Sequence, residues 1–389
     1  MRYKLKDIFD LQMGKTPSRN NSEYWNTEDY KWISIADLGK TGKYISETKE
    51  YLSESAVAES GIKIIPANTV VMSFKLSIGK TAITAEDMYS NEAIMAFHDR
   101  HVIDILPEYI YYMFKYKNWD EGSNKAVMGK TLNKATLSEV EIDICSMEEQ
   151  REIVNVLDKM MAVLEGRETE LALLDNLIKA RFIEMFGNPR INPNKYPTKL
   201  IKDTCIVITG NTPSRKVHEY YGDAIEWIKT DNIVSSLLYP TVASESLSDS
   251  GKAVGRAVDA GAILMACIAG SVASIGRVCI TDREVAFNQQ INAIVPKEYD
   301  VRFLHALLQI SKDYLVEDIN MSLKGIISKS KLEEKEFIVP SMEEQVGFAD
   351  FVKQIDKSKF QKYNATILSH NIYVFETRRR FICKPTLII

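Results

Sequence analysis

Ser146-Met147-Glu148-Glu149-Gln150 heads a long stretch with an apolar stripe, and the same five residues return 195 positions later as Ser341-Met342-Glu343-Glu344-Gln345. A Ser followed three residues on by Glu is a capping box, which marks a helix start. Behind the first box, Ile153, Leu157, Met160, Leu164, Leu171, Leu174, Ile178, Phe182 and Met185 recur at helical spacing, with Arg167 the one polar occupant. The stripe stops at Gly187-Asn188-Pro189, a C-cap glycine and a breaker. Behind the second box, Phe348, Val352, Ile355, Phe360, Tyr363, Ile367, Val374 and Phe381 form a more aromatic, less regular seam. One such helix leaves its stripe in water, whereas two bury each other. The pattern predicts a two-stranded antiparallel coiled coil.

The duplication extends outward from these helices. Gly14-Lys15-Thr16-Pro17-Ser18-Arg19 matches Gly210-Asn211-Thr212-Pro213-Ser214-Arg215, and Trp32-Ile33 matches Trp227-Ile228. Ile78-Gly79 matches Ile275-Gly276, and Asn91 matches Asn288. An offset that stays between 195 and 197 along the chain describes two copies of one unit, each large enough for a globule with an appendage. Short β-type runs such as 70–74, 141–144, 262–265 and 337–339 are punctuated by Gly, Pro, Asn and Asp, with helices expected over 107–116 and 301–315. The fold class expected is α+β: two similar globules joined by two long helices in an antiparallel coiled coil, a pseudo-two-fold internal repeat. The boundaries expected are a first globule at 1–145, a spacer helix at 146–187, a linker at 188–199, a second globule at 200–340 and a second spacer helix at 341–389.

Composition narrows the function. The 389 residues are 45% apolar, enough for real cores, and contain no apolar run of the roughly 18 residues that a membrane span needs. The charged start is not a signal peptide. Cys145, Cys205, Cys267, Cys279 and Cys383 are scattered and never spaced as CxxC, which reads as reduced thiols in a cytoplasmic protein without a zinc site. His98 and His101 read as members of a polar loop. Net charge is −4, so nucleic-acid binding would need local basic faces or partners that supply phosphate contacts.

Three Gly-Lys-Thr triplets begin at Gly14, Gly79 and Gly129, but Phe9, Phe74 and Asn124 occupy the places where a phosphate-binding P-loop needs its first glycine. No methyltransferase, hydrolase or metal motif stands out. The better ligand candidates are the repeated loops. Lys15, Thr16, Ser18 and Arg19, with Asn211, Thr212, Ser214, Arg215 and Lys216, combine tight backbone approach with hydroxyls and cations suited to phosphates or a guanine edge. An ordinary proline turn explains the same residues. Asn91-Glu92 and Asn288-Gln289-Gln290 carry groups that read adenine or cytosine, and a polar strand end is the alternative. Lys75, Lys80 and Arg277 suit phosphate contacts, or are simply solvated. Arg378-Arg379-Arg380 suits a helix C-terminus.

Taken together, the Ser-Met-Glu-Glu-Gln entries, the Gly-x-Thr-Pro loops and the globule–helix–globule–helix order resemble the specificity (S) subunit of type I restriction-modification systems. The resemblance covers essentially the whole chain. It implies two target recognition domains, each reading one half of a bipartite double-stranded DNA site. It implies helices that set the spacing of the half-sites and dock two methyltransferase (M) subunits, with restriction (R) subunits able to join. S-adenosylmethionine, ATP and Mg2+ would then belong to the partners, and this chain would hold no cofactor and no catalytic residue. Two other readings stay open: a protein-binding adaptor with two globules on a coiled coil, and a nuclease or methyltransferase of unfamiliar type. Departures from the family pattern are the different course of the second helix after Gln345 and the tail Lys384-Pro385-Thr386-Leu387-Ile388-Ile389.

Overall fold

The computed structural model describes residues 1–25, 27–75, 77–119, 132–268, 274–317 and 325–381. The Gly129-Lys130-Thr131 triplet, Cys383 and the tail after Phe381 lie outside these. The chain divides into two compact units. One is Met1–Gly166 together with the stretch from Thr366 onward, and the other is Arg167–Ala365.

Both capping boxes form. Ser146 Oγ accepts from Glu149 N–H at 3.3 Å, while the Glu149 carboxylate accepts from the Ser146 N–H at 3.1 Å. Ser341 and Glu344 repeat this at 3.3 and 3.0 Å. Two 40-residue helices follow, Met147–Phe186 and Met342–Phe381. Gly187, at φ +74°, takes the left-handed conformation that ends the first. No described helix is long and apolar enough to cross a membrane.

The last residue of the pentapeptide has its own task. Gln150 is fully buried; it accepts from Leu106 N–H at 2.9 Å and donates to the Asp104 and Cys145 carbonyls, both at 3.1 Å. Gln345 does the same with Asp300 N–H (2.9 Å), Glu298 O (3.3 Å) and Pro340 O (2.9 Å). Each glutamine ties its long helix to the loop that launches the globule's main helix, Pro107–Tyr116 or Val301–Ile310. The latter is shorter than expected: it pauses at Ser311 and resumes as Lys312–Val316.

In the first globule, Phe9–Met13, Ile94–Asp99, Val70–Ser73, Thr81–Thr84 and Tyr44–Ile45 form a sheet in that order, antiparallel apart from the last pair. The run from Val70 to Ser73 is buried throughout, as a strand covered on both faces should be. Val70 and Met72 pack toward the helix Pro107–Tyr116, Val71 toward Ile33 and Ile94. A second sheet pairs Glu50–Leu52, Tyr30–Ile33 and Tyr89–Ser90. The second globule repeats the scheme with Cys205–Thr209, Ile291–Pro296, Ile263–Ala266 and Val278–Ile280 in one sheet, and Ile225–Ile228 beside Val285–Phe287 in another. In both globules the strand carrying the repeated Trp-Ile runs parallel to the strand just before the repeated Asn. Thr198–Leu200 pairs with Glu336–Ile338 as Arg2–Lys4 pairs with Glu141–Asp143.

The seam of the first long helix follows its sequence pattern, with Ile153, Leu157, Leu164, Ile178 and Phe182 buried. The second departs from its pattern. Phe360 is 67% exposed, and the neighbouring inner positions are polar. Within the Arg167–Ala365 unit, Lys359 pairs with Asp175 at 2.6 Å, Lys362 with Glu170, and Arg167 donates to the Ala365 carbonyl. These pairs descend along one helix as they climb the other, so the helices run antiparallel there. Ion pairs here take the place of an apolar layer. Tyr373, absent from the expected stripe, is buried against Tyr116.

Candidate nucleic-acid interface

The repeated glycine and the repeated asparagine meet. Gly14 N–H donates to Ile94 O at 3.1 Å, and a Cβ on Gly14 would sit 2.2–2.3 Å from the Asn91 and Ser90 carbonyls. Gly210 is equally tight against Asn288 and Phe287, at 2.2 and 2.4 Å. Only glycine lets these two loops touch. Trp32 Nε1 donates to Lys15 O at 3.1 Å, and Trp227 Nε1 to Asn211 O at 3.3 Å, which fixes each loop from beneath. Pro17 and Pro213 are buried, and the Ser18 and Ser214 carbonyls close i to i+3 turns with Asn21 and Val217. The Ser18 and Ser214 side chains are exposed, as is Lys216.

The asparagines themselves are occupied. Asn91 Oδ1 accepts from Ala93 N–H and Asn288 Oδ1 from Gln290 N–H, both at 3.0 Å, and Asn288 is only 7% exposed. They form the turn that presents the next residue. Gln290 joins the same turn through a 3.2 Å bond from Asn288 Nδ2. The residue presented is Glu92 in one copy and Gln289 in the other, both exposed. Thr16 Oγ1 donates to the Glu92 carboxylate and Thr212 Oγ1 to Gln289 Oε1. One scaffold thus offers an anion at one end of the repeat and a neutral amide at the other. The Thr16 hydrogen bond, aided by the charges of Lys75 and Arg19, holds the Glu92 carboxyl below its usual range. With Oε1 taken by Thr212, Gln289 keeps its amide N–H groups as donors.

Arg19 and Arg215 are held by parts that the sequence reading did not single out. Arg19 forks onto Glu50, with the longer arm at 3.1 Å, and lies 3.7 Å from the Trp25 ring centroid and 4.9 Å from that of Trp32. Arg215 bonds Glu245 at 2.6 Å and covers Tyr221 and Trp227 at 4.4 and 5.1 Å. Both guanidiniums remain about half exposed. Their first task is to clamp the loop; a phosphate or base would meet a face already partnered by a carboxylate. The matched spacing of Glu50 and Glu245 was the available signal.

The change from Lys15 to Asn211 alters less than its chemistry suggests. Lys15 Nζ donates to Ser60 O, the last carbonyl of the helix Glu54–Ser60. Asn211 Nδ2 donates to Val254 O at 2.9 Å, the last carbonyl of the matched helix Asp249–Val254. Both side chains satisfy a helix C-terminus, one by length and one by proximity. The two side chains thus share a structural role at matched helix ends.

Lys80 and Arg277 also correspond. The Lys80 ammonium lies over Gly39 at the end of the short helix Ile35–Leu38, and Arg277 donates to Thr230 O and Ser274 O, each at 3.2 Å. They brace the turn after the Trp-Ile strand instead of joining the Thr–Glu or Thr–Gln pair. Lys75 stays near Glu92 and lies 5.3 Å from the Phe74 ring centroid. No cluster of three or more potential metal ligands occurs among the described residues.

Comparison with known proteins bears on what these paired loops serve. The model of the type I restriction modification DNA specificity domain matches residues 1–173 and again 193–368. The chain is 30% identical over 258 residues to the type I restriction enzyme MjaIX specificity subunit of Methanocaldococcus jannaschii, covering 60% of this chain and 58% of that one. It is 29% identical over 170 residues to the EcoR124I/EcoR124II specificity subunit of Escherichia coli, covering 41% of each. These alignments span about half the length of the relatives. Among solved structures, a type I restriction-modification S subunit from M. genitalium superposes with TM-score 0.53 at 12% identity, covering 99% of this chain and 96% of that one. A chain from a study of complex assembly and conformational transition of the type I restriction-modification system gives TM-score 0.56 at 15% identity, covering 98% and 97%. At such identities the likeness concerns the fold.

Proposed function

The chain belongs to the type I restriction-modification DNA specificity family, one matched stretch falling in each copy, and from that premise we propose that it is the sequence-reading subunit of a type I restriction-modification complex. Each globule reads one half of a bipartite double-stranded DNA site. The long helices dock two methyltransferase subunits, to which restriction subunits can add. The chain itself is not an enzyme; S-adenosylmethionine, ATP and Mg2+ act in the partners, in the cytoplasm.

The observation that carries this reading is the pair of matched turns ending in Glu92 and Gln289. The same glycine, threonine, tryptophan and arginine frame is built twice, and the exposed residue on it differs. A carboxylate accepts from the cytosine or adenine amino group, while an amide can also donate to a purine N7 or O6. Two ends of one frame that read unequal half-sites need this kind of difference. The family match favours the reading over a protein-binding adaptor.

The test is to co-express the chain with its methyltransferase subunits and map methylated bases genome-wide. A motif of two short halves separated by a fixed unread gap is expected, and exchanging residues 1–145 for the corresponding part of a relative should change one half alone. A single continuous motif, or a change in both halves, would sink the proposal.

A further inference from the structure

The two units fill one place differently. The Gln150 and Gln345 bonds align Asp104 with Glu298 and Leu106 with Asp300, an offset of 194 for the helix that follows. The long helices align without gaps at 195. In the first unit Tyr111, Tyr112, Tyr116 and Tyr373 pack with Leu157 and Leu164. Their counterparts in the second unit are His305, Ala306, Ile310, Ile178, Val352 and Lys359. Three of the four tyrosine positions lose the aromatic ring and the fourth carries the smaller imidazole, and a cavity of about 300 Å3 lies there.

Its lining is not that of an idle void. Arg277, Lys312, Lys179 and Lys359 face it, against the carboxylates of Asp175 and Asp356. Lys359 is neutralised by Asp175 at 2.6 Å, and Asp356 lies 3.4 Å from Arg302. Burial and the nearby Arg277 charge together push the Lys312 ammonium below its ordinary value. His305 is 7% exposed, and its Nε2 has no hydrogen-bond partner among the described residues. Burial lowers its pKa to about 4, so it is neutral near pH 7 and can accept at that nitrogen.

We propose that this cavity binds a small phosphate monoester bearing hydroxyl groups, with Arg277 and Lys312 on the phosphate and His305 Nε2 accepting from a hydroxyl. The site borrows Arg277 from the brace of the turn at Thr230, and among the described residues the matched place in the first unit is held by the tyrosines.

Ribose 5-phosphate and inorganic phosphate, titrated against the full chain, test it by thermal unfolding and 31P line width. Ribose 5-phosphate should raise the Tm saturably, with inorganic phosphate weaker. R277Q should weaken the response by roughly tenfold, the factor of one charge-assisted hydrogen bond. A306Y, which installs the residue that the first unit carries as Tyr112, should abolish the response; if A306Y does not fold, R277Q alone decides. No saturable shift with either compound, or an equal shift in wild type and R277Q, would overturn the site. A lowered salt dependence of DNA binding in R277Q without any ribose 5-phosphate response would assign the contact to the DNA backbone, and likewise overturn the small-molecule site.

Discussion

Arg283 forks onto Glu226, with Nε and Nη2 at 2.7 and 2.9 Å from the two carboxylate oxygens. At the matched places of the first globule stand Glu86 and Lys31, paired at 2.5 Å with the charges reversed. In both copies the Trp-Ile strand is tied to the bend that precedes its parallel neighbour, and the sign of the tie has been exchanged between them. The arginine holds the Glu226 carboxyl below its usual range.

Reversal of one partner should therefore be costly and reversal of both tolerated. E226R alone sets two guanidiniums together; with R283E added, stability should recover. A double-mutant cycle by urea unfolding should give a coupling of about 1 kcal/mol, as for a partly exposed bidentate pair. Simple additivity would show that the pair is idle.

Q150L and Q345L should each destabilise by about 2–4 kcal/mol, since each leaves one N–H and two carbonyls buried without partners. Calorimetry on the two variants should show losses of similar size. A loss under 0.5 kcal/mol would mean that water replaces the amide.

E92Q should leave the Tm within a degree or two, because the Thr16 hydroxyl can still donate, and it should alter the preferred base at one position of one half-site. Q289E should do the same in the other half. Methylation mapping of both variants is the measurement; unchanged motifs would remove these residues from base readout.

His305 makes stability depend on pH. Its folded pKa of about 4 lies below the unfolded value near 6.5, so the unfolded chain takes up the proton first as the pH falls. The stability advantage of wild type over H305Q should be constant above pH 7 and shrink between 6.5 and 4, on the order of 2–3 kcal/mol in all. A flat difference across that window would mean that the imidazole titrates alike in both states.

Much of the architecture was legible in the chain, because capping boxes, helical stripes and turn glycines act over a few residues. Both long helices and the repeated loops follow from such patterns. What escaped depends on partners distant in sequence. The spacing placed Phe360 on the seam, but Asp175 across from it holds Lys359 on the inner side, and the ring is left outside. Lys15 and Asn211 differ in length and charge; only the ends of the helices at Ser60 and Val254 reveal that both donate to a last carbonyl. The partners of Arg19 and Arg215 went unseen because Glu50 and Glu245 lie about 30 residues away.

The makeup of the two units also orders events during synthesis. Arg167–Ala365 is one unbroken stretch and has all its parts once Ala365 has emerged. The other unit is sewn from both ends of the described chain: Phe381 lies 5.2 Å from Tyr109 and Tyr373 lies 5.4 Å from Tyr116, measured between ring centroids. The globule made first is thus finished last, and its tyrosine-rich face lacks the cover of Tyr373 for the more than 250 residues that separate Tyr116 from Tyr373. At about 5–20 residues per second that wait lasts tens of seconds, during which the aromatic face lacks its last partner.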